Sequence, residues 1–233
     1  MTRNGVTSPD SSMRFGSDPQ ASGGYLPESQ LRQIIRDILM GLEEVHRQDI
    51  VHLDIKPENI LLGKSGKYKL ADLGMSRLLT KITDPHTLPE GDCRYLAREL
   101  LSREVLQHLP DLKKSDIFSL GITAYELISL ANLEKNGQEW QALREGKVKF
   151  PPHAAKYYSE ELLETVCRML SPNTDYRPGA RELLETAFIS SKERRIQEVN
   201  AENEHLKDQL CKLTEYLRLN HGIDAASILQ SLS

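Results

Sequence analysis

Between residues 50 and 62 the chain reads IVHLDIKPENILL, an apolar run interrupted by Asp54, Lys56 and Asn59. A carboxylate, an ammonium and an amide at that spacing suit phosphoryl transfer, in which a hydroxyl, a phosphoryl group and a metal are held in line. Asp54 can orient an attacking hydroxyl and accept its proton. Lys56 can neutralise charge on the transferred group. Asn59 offers a hard oxygen of the kind that Mg²⁺ accepts while it keeps substrate phosphates in its shell. A second metal ligand comes from further along the chain. In NILLGKSGKYKLAD, Ile60 to Leu62 form a short β run, Gly63 to Gly66 supply a turn, and Lys67 to Ala71 alternate polar and apolar. That pattern predicts a hairpin that returns Asp72 beside Asn59.

The elements that must hold these residues are mostly helical. In PESQLRQIIRDILMGLEEVHRQ, Leu31, Ile34, Ile35, Ile38, Leu39, Leu42 and Val45 recur at spacings of three and four, one face of a helix. Pro27, Glu28 and Ser29 suit its first turn. Residues 115–130, SDIFSLGITAYELISL, are apolar nearly all round, which predicts a helix at the centre of a domain. Shorter helical patterns follow at 138–146, 159–170 and 178–188, and strand signals are few. Residues 1–24, rich in Ser, Gly, Pro and Asp, read as a disordered leader. Residues 25–190 read as one domain, mainly α with a short β-hairpin, and 221–233 as a tail.

Residues 191–220 change character. Ile196, Asn203, Leu210 and Leu217 fall at heptad a positions, and Val199, Leu206 and Leu213 at d. Two readings are open for 196–217: a coiled coil that self-associates, and a solvated amphipathic helix folded back on its own domain.

Bulk properties narrow the class. The 233 residues carry a formal net charge of −4, which gives no general attraction to nucleic acid or anionic membrane. No apolar stretch approaches the roughly eighteen residues that span a bilayer. The start of the chain lacks the apolar core of a secretory signal. Cys93, Cys167 and Cys211 are too dispersed for a zinc or dithiol motif and suit a reducing compartment.

The run His52-Leu53-Asp54-Ile55-Lys56-Pro57-Glu58-Asn59 resembles the catalytic loop of eukaryotic protein kinases, and Asp72-Leu73-Gly74 resembles their metal-binding triplet, with Leu in place of Phe. Ala97-Arg98-Glu99 stands where that family has Ala-Pro-Glu. The resemblance implies a kinase C-terminal lobe over 25–190, with ATP and Mg²⁺ as cofactors. It implies Asp54 and Lys56 as catalytic residues, Lys56, Asn59, Leu61 and Asp72 as nucleotide contacts, and Asn59 and Asp72 as metal ligands. Glu99 would pair with Arg177 in a buried ion pair. Asp116 would hold the catalytic-loop backbone, a role that competes with a simple helix N-cap. His52 would be a packed core residue.

Two longer stretches, EGDCRYLARELL (90–101) and NGQEWQALREG (136–146), are similar to Wee-type kinases, which inhibit cyclin-dependent kinases by phosphorylating a tyrosine near their ATP site. The membrane-associated sister branch carries an apolar segment after the kinase domain, and none is found here. Leu53 replaces the arginine that in regulated kinases meets an activation-loop phosphate, so Thr80, Thr83 and Thr87 are expected to be plain surface residues. Glu90 and Asp92 are expected either to position the substrate or to cap their loop. The resemblance implies a cyclin-dependent kinase as protein substrate, a restraint on mitotic entry, and a nuclear location with a cytoplasmic one besides. The expected glycine-rich strand pair and strand lysine are missing, so the N-terminal lobe is read as absent from this chain. A segment of a full kinase and an inert binding or scaffold module are the two readings that follow.

Overall fold

The computed structural model describes residues 25–82, 88, 91–101, 111–186, 209 and 212. The chain divides into two compact units, 1–189 and 190–233, and every element below belongs to the first. The leader, Thr83, Thr87, Glu90, Cys211 and the heptads of 196–217 lie outside the described residues.

Helix α1 (Glu28–Arg47) matches its periodicity: Leu31, Ile34, Ile35, Ile38, Leu39 and Leu42 are buried along one face. Burying an aliphatic side chain of this kind contributes about 1.5–3 kcal/mol. Val45 is only half-buried, and His46 is the residue of the last turn that goes inside. The chain then reverses through Asp49, at φ +57°, into strand β1 (Ile50–Val51). A 3₁₀ turn over Pro57–Asn59 leads into strand β2 (Ile60–Leu62), which pairs antiparallel with β3 (Tyr68–Leu70). The predicted hairpin is therefore present, with Ile60 opposite Leu70 and Leu62 opposite Tyr68. Gly66, at φ +74°, takes the left-handed turn position that favours glycine.

A second pairing has no counterpart in the sequence reading. Strand β1 pairs antiparallel with β4 (Arg77–Leu78), Ile50 opposite Leu78. Two-residue strands carry too little alternation to be visible as a pattern. Their effect is to cinch both ends of the segment that contains Asp54, Asn59 and Asp72.

Helices α2 (Arg98–Leu101), α3 (Leu112–Ser129), α4 (Gln138–Arg144), α5 (Ala154–Tyr157), α6 (Glu160–Met169) and α7 (Ala180–Glu185) complete the unit. As its composition predicts, α3 is buried on every side for most of its length. Its polar residues bond within the helix or to neighbours: Ser119 Oγ donates to the Tyr95 carbonyl at 2.9 Å, and Thr123 Oγ1 to the Ser119 carbonyl at 2.9 Å. A Cβ on Gly121 would come within 3.0 Å of Met169 and Leu170, so glycine lets α6 close on α3. Among the described residues, no helix is long and apolar enough to cross a membrane.

Candidate active site

The three clustered residues form one hydrogen-bonded unit. Lys56 Nζ donates to both Asp54 oxygens, at 2.9 and 2.7 Å. Asn59 Nδ2 donates to the Asp54 carbonyl at 2.7 Å and to Asp54 Oδ2 at 2.8 Å. With its nitrogen committed to two acceptors, the Asn59 amide can have only one orientation, which leaves its oxygen for a cation. Proline at the start of the 3₁₀ turn pre-sets the backbone that makes this possible.

The hairpin supplies the other carboxylate. Ala71 N donates to the Asn59 carbonyl at 2.8 Å, so the ladder continues one step past the strands and holds the residue before Asp72 against Asn59. Asp72 itself is exposed, at φ +61°, with Oδ1 accepting from Gly74 N at 3.0 Å. Leu61, from the same hairpin, is an exposed apolar side chain, 51% accessible. It can offer a flat apolar contact to a nucleobase.

Beneath this lies Asp116. Its Oδ2 accepts from His52 N at 2.8 Å and from His46 Nε2 at 2.8 Å, and its Oδ1 accepts from Leu53 N at 2.8 Å. The N-cap of α3 is instead Asp111, whose side chain accepts from Lys113 N. The loop-holding role implied by the kinase resemblance is thus the one observed, and the N-cap alternative is ruled out. Leu53 is held at φ +66°, an unfavourable region for leucine that costs about 1–3 kcal/mol. Charge-assisted bonds that the His52 and Leu53 amides donate to Asp116 offset that strain. Burial pushes the His52 imidazole below its ordinary value, opposed without being reversed by the Asp116 carboxylate. Its Nδ1 accepts from Asp54 N at 3.3 Å, the geometry of a neutral ring that fixes the loop.

The expected ion pair is also formed. Arg177 Nη1 lies 2.6 Å from Glu99 Oε1, both residues are buried, and Ser115 Oγ donates to the same Oε1 at 3.0 Å. Arg177 further donates to the Ser171 and Lys114 carbonyls. Thr80 is exposed, as expected of a plain surface residue.

Asp92 is committed inside its own loop: it accepts from Arg94 N at 3.1 Å and from Arg94 Nε at 3.0 Å. Those bonds, with Lys56 acting through space, hold its carboxyl below the ordinary carboxylate range. Loop capping is therefore what the geometry of Asp92 provides. Sequence reasoning missed His46, Gly91, Glu126, Trp140 and Arg144. A Cβ on Gly91 would lie 2.8 Å from the Leu53 carbonyl, so the acceptor-side segment passes directly against the catalytic loop. Glu126 accepts from the buried Tyr95 hydroxyl at 2.7 Å, and burial raises both of their pKa values.

A family profile described as "Protein kinase domain" matches residues 14–189. The chain belongs to the protein kinase family. Within it, the similarity is to Wee-type kinases. A Wee1-like protein kinase 2 of Canis lupus familiaris is 32% identical over 87% of this chain and 38% of its own length. The membrane-associated tyrosine- and threonine-specific cdc2-inhibitory kinase wee-1.3 of Caenorhabditis elegans is 35% identical over 72% of this chain and 24% of its own. A probable protein kinase of Dictyostelium discoideum is 41% identical over 72% of this chain and 45% of its own. This kinase chain thus spans less than half the length of those relatives. Kinases of this family use ATP and a divalent metal, and the donors here fit one. Among the described residues there is no cluster of three or more His, Cys, Asp or Glu able to hold a metal alone. A carboxylate and an amide oxygen that share an ion with phosphates and water are what Mg²⁺ takes.

Proposed function

We propose that this chain carries the catalytic loop of a Wee-type kinase that transfers the γ-phosphoryl group of Mg-ATP to a tyrosine of a cyclin-dependent kinase, and so restrains mitotic entry. The observation that carries the reading is the hydrogen-bonded Asp54–Lys56–Asn59 unit, with Ala71, the residue before Asp72, bonded to the Asn59 carbonyl. An inert scaffold has no chemical need of that arrangement. In this reading Asp54 takes the proton of the acceptor hydroxyl, Lys56 offsets charge on the phosphoryl group, and Asn59 and Asp72 hold the metal. Leu61 contacts the nucleobase. Bound Mg²⁺ supplies neutralisation of the phosphate oxygens. The acceptor class rests on the similarity to kinases whose names include tyrosine specificity and inhibition of cdc2. Self-association through 196–217 and a nuclear location belong to the same proposal, the first supported by the heptad pattern.

Residues 1–233 contain no GxGxxG segment to clamp the phosphates. The test therefore joins them to the N-terminal lobe of a Wee1-like kinase and assays transfer to a cyclin-dependent kinase. Phosphotyrosine should form, and Asp54→Asn should reduce the rate by about two to four powers of ten. Phosphate found only on serine or threonine, or a rate insensitive to Asp54→Asn, would overturn the assignment.

A further inference from the structure

Two stretches that resemble Wee-type kinases in sequence, 90–101 and 136–146, are far apart along the chain, yet Cys93 and Arg94 of the first are bonded to Trp140 and Arg144 of the second. Arg144, at the end of α4, donates through Nη2 to the Cys93 carbonyl at 2.8 Å and to the Arg94 carbonyl at 3.0 Å. Trp140 Nε1 donates to the same Cys93 carbonyl at 3.0 Å. Arg144 Nη1 reaches back to the Trp140 carbonyl at 3.0 Å, and its guanidinium lies 3.9 Å from the centre of the Trp140 ring. Arg144 is only 3% exposed, has no carboxylate partner among the described residues, and leaves Nε without a hydrogen bond. A buried cation without a counter-ion is costly, and burial pushes this one down to about 10. Backbone carbonyls and an aromatic face are what keep it charged and in place.

The segment it grips belongs to the working face. Gly91 abuts the Leu53 carbonyl, Asp92 feels Lys56, and Arg94 feels Glu58. Within the segment, Tyr95 N donates to the Asp92 carbonyl at 2.9 Å, and the Arg94 side chain folds onto Asp92. Tyr95 is anchored to α3 through Ser119 Oγ and Glu126, whereas the Cys93 and Arg94 carbonyls are held by side chains of α4.

We propose that Arg144, supported by Trp140, is a positioning residue for the protein acceptor: it sets the Cys93–Arg94 backbone against which the acceptor polypeptide lies beside Asp54. The proposal rests on the kinase reading above but not on tyrosine as the acceptor. Arg144 acts on the acceptor side alone, because none of its bonds reaches the Asp54–Lys56–Asn59 unit or the hairpin. Lysine is a poor replacement, since its single nitrogen cannot also supply the second donor that Nη1 gives the Trp140 carbonyl, and it does not stack as a planar group.

The test compares the 233-residue chain with its Arg144→Lys and Trp140→Phe variants. Hydrogen–deuterium exchange of the chain should rise by about ten-fold at residues 92–96 in Arg144→Lys and stay unchanged at 52–60. Binding of an unphosphorylated cyclin-dependent kinase should weaken by about ten-fold, while Mg-ATP affinity stays the same. Trp140→Phe keeps the ring but loses the donor, and should weaken acceptor binding by a smaller factor. Equal loosening throughout the domain, or local loosening with acceptor affinity unchanged, would overturn the proposal. If the wild-type chain binds no acceptor, both this proposal and the functional reading fail. If it binds but the lobe-completed enzyme transfers no phosphate to tyrosine, only the functional reading fails.

Discussion

The catalytic loop and the acceptor segment are each held by a buried charge, and the two charges are mirror images. Asp116 is an anion that gathers backbone amides from His52 and Leu53. Arg144 is a cation that gathers backbone carbonyls from Cys93 and Arg94. Asp116 comes from the central helix, is backed by His46, and bonds through both oxygens. Arg144 comes from a seven-residue helix, leans on one tryptophan, and has an unpaired Nε. The His52–Leu53 backbone is thus held from the central helix, whereas the Cys93–Arg94 backbone hangs on side chains of a seven-residue helix.

The Glu99–Arg177 pair is the control for that comparison, because there the buried charge has a full opposite. Arg177→Met should cost about 3–5 kcal/mol in urea denaturation, by leaving Glu99 buried and uncompensated. That is the largest stability loss expected of the three centres, and it should fall on the fold as a whole. Asp116→Asn sharpens the contrast with Arg144. It should cost about 1.5–3 kcal/mol in stability, since charge-assisted bonds to the loop are lost. In the lobe-completed enzyme it should lower kcat by about ten-fold or more with acceptor KM little changed, the reverse of Arg144→Lys. Equal effects of the two variants on kcat would break the distinction.

Gly91→Ala acts on the seam between the two loops. Its Cβ would meet the Leu53 carbonyl at 2.8 Å, a backbone atom that cannot swing aside. A stability loss of about 1–3 kcal/mol is expected, with kcat and acceptor KM both impaired. The smallest effect concerns pH. His52 titrates in the folded state below its ordinary value of 6.5, so the folded state binds its proton less readily than the unfolded state does. Its contribution to stability is therefore present above pH 6.5 and is lost as pH falls through the lowered folded value. Denaturation followed from pH 7.5 to 5 should show that decline, and His52→Asn should flatten it.

Much of this was legible in the residues themselves. The buried face of α1, the all-round burial of α3 and the β2–β3 hairpin each follow from a period repeated within a few turns or from a glycine turn between two short runs. Asp54, Lys56 and Asn59 lie within six residues, so a single proline-started turn is enough to join them. Hydrogen bonding through such a turn is a local property, and the chemistry suggested by the residue types survives any detail of packing. The Glu99–Arg177 pair came from the family resemblance, which carries long-range information that spacing alone does not.

Tertiary structure decided the partners of the buried charges. Asp116 near the start of an apolar helix has the composition of an N-cap; only the observed start of α3 at Leu112, capped by Asp111, moves it into the second turn and turns its carboxylate to the loop. Arg144 reads in sequence as a basic residue at the end of a short helix, where exposure is the ordinary outcome. Its burial follows from where α4 lands beside Cys93 and Arg94, and from Trp140 providing the ring it lies on. The physical reason is range. A periodicity records which face of an element is apolar, but the neighbour of a buried polar atom is set by how distant elements pack, and desolvation makes that neighbour obligatory once packing has excluded water.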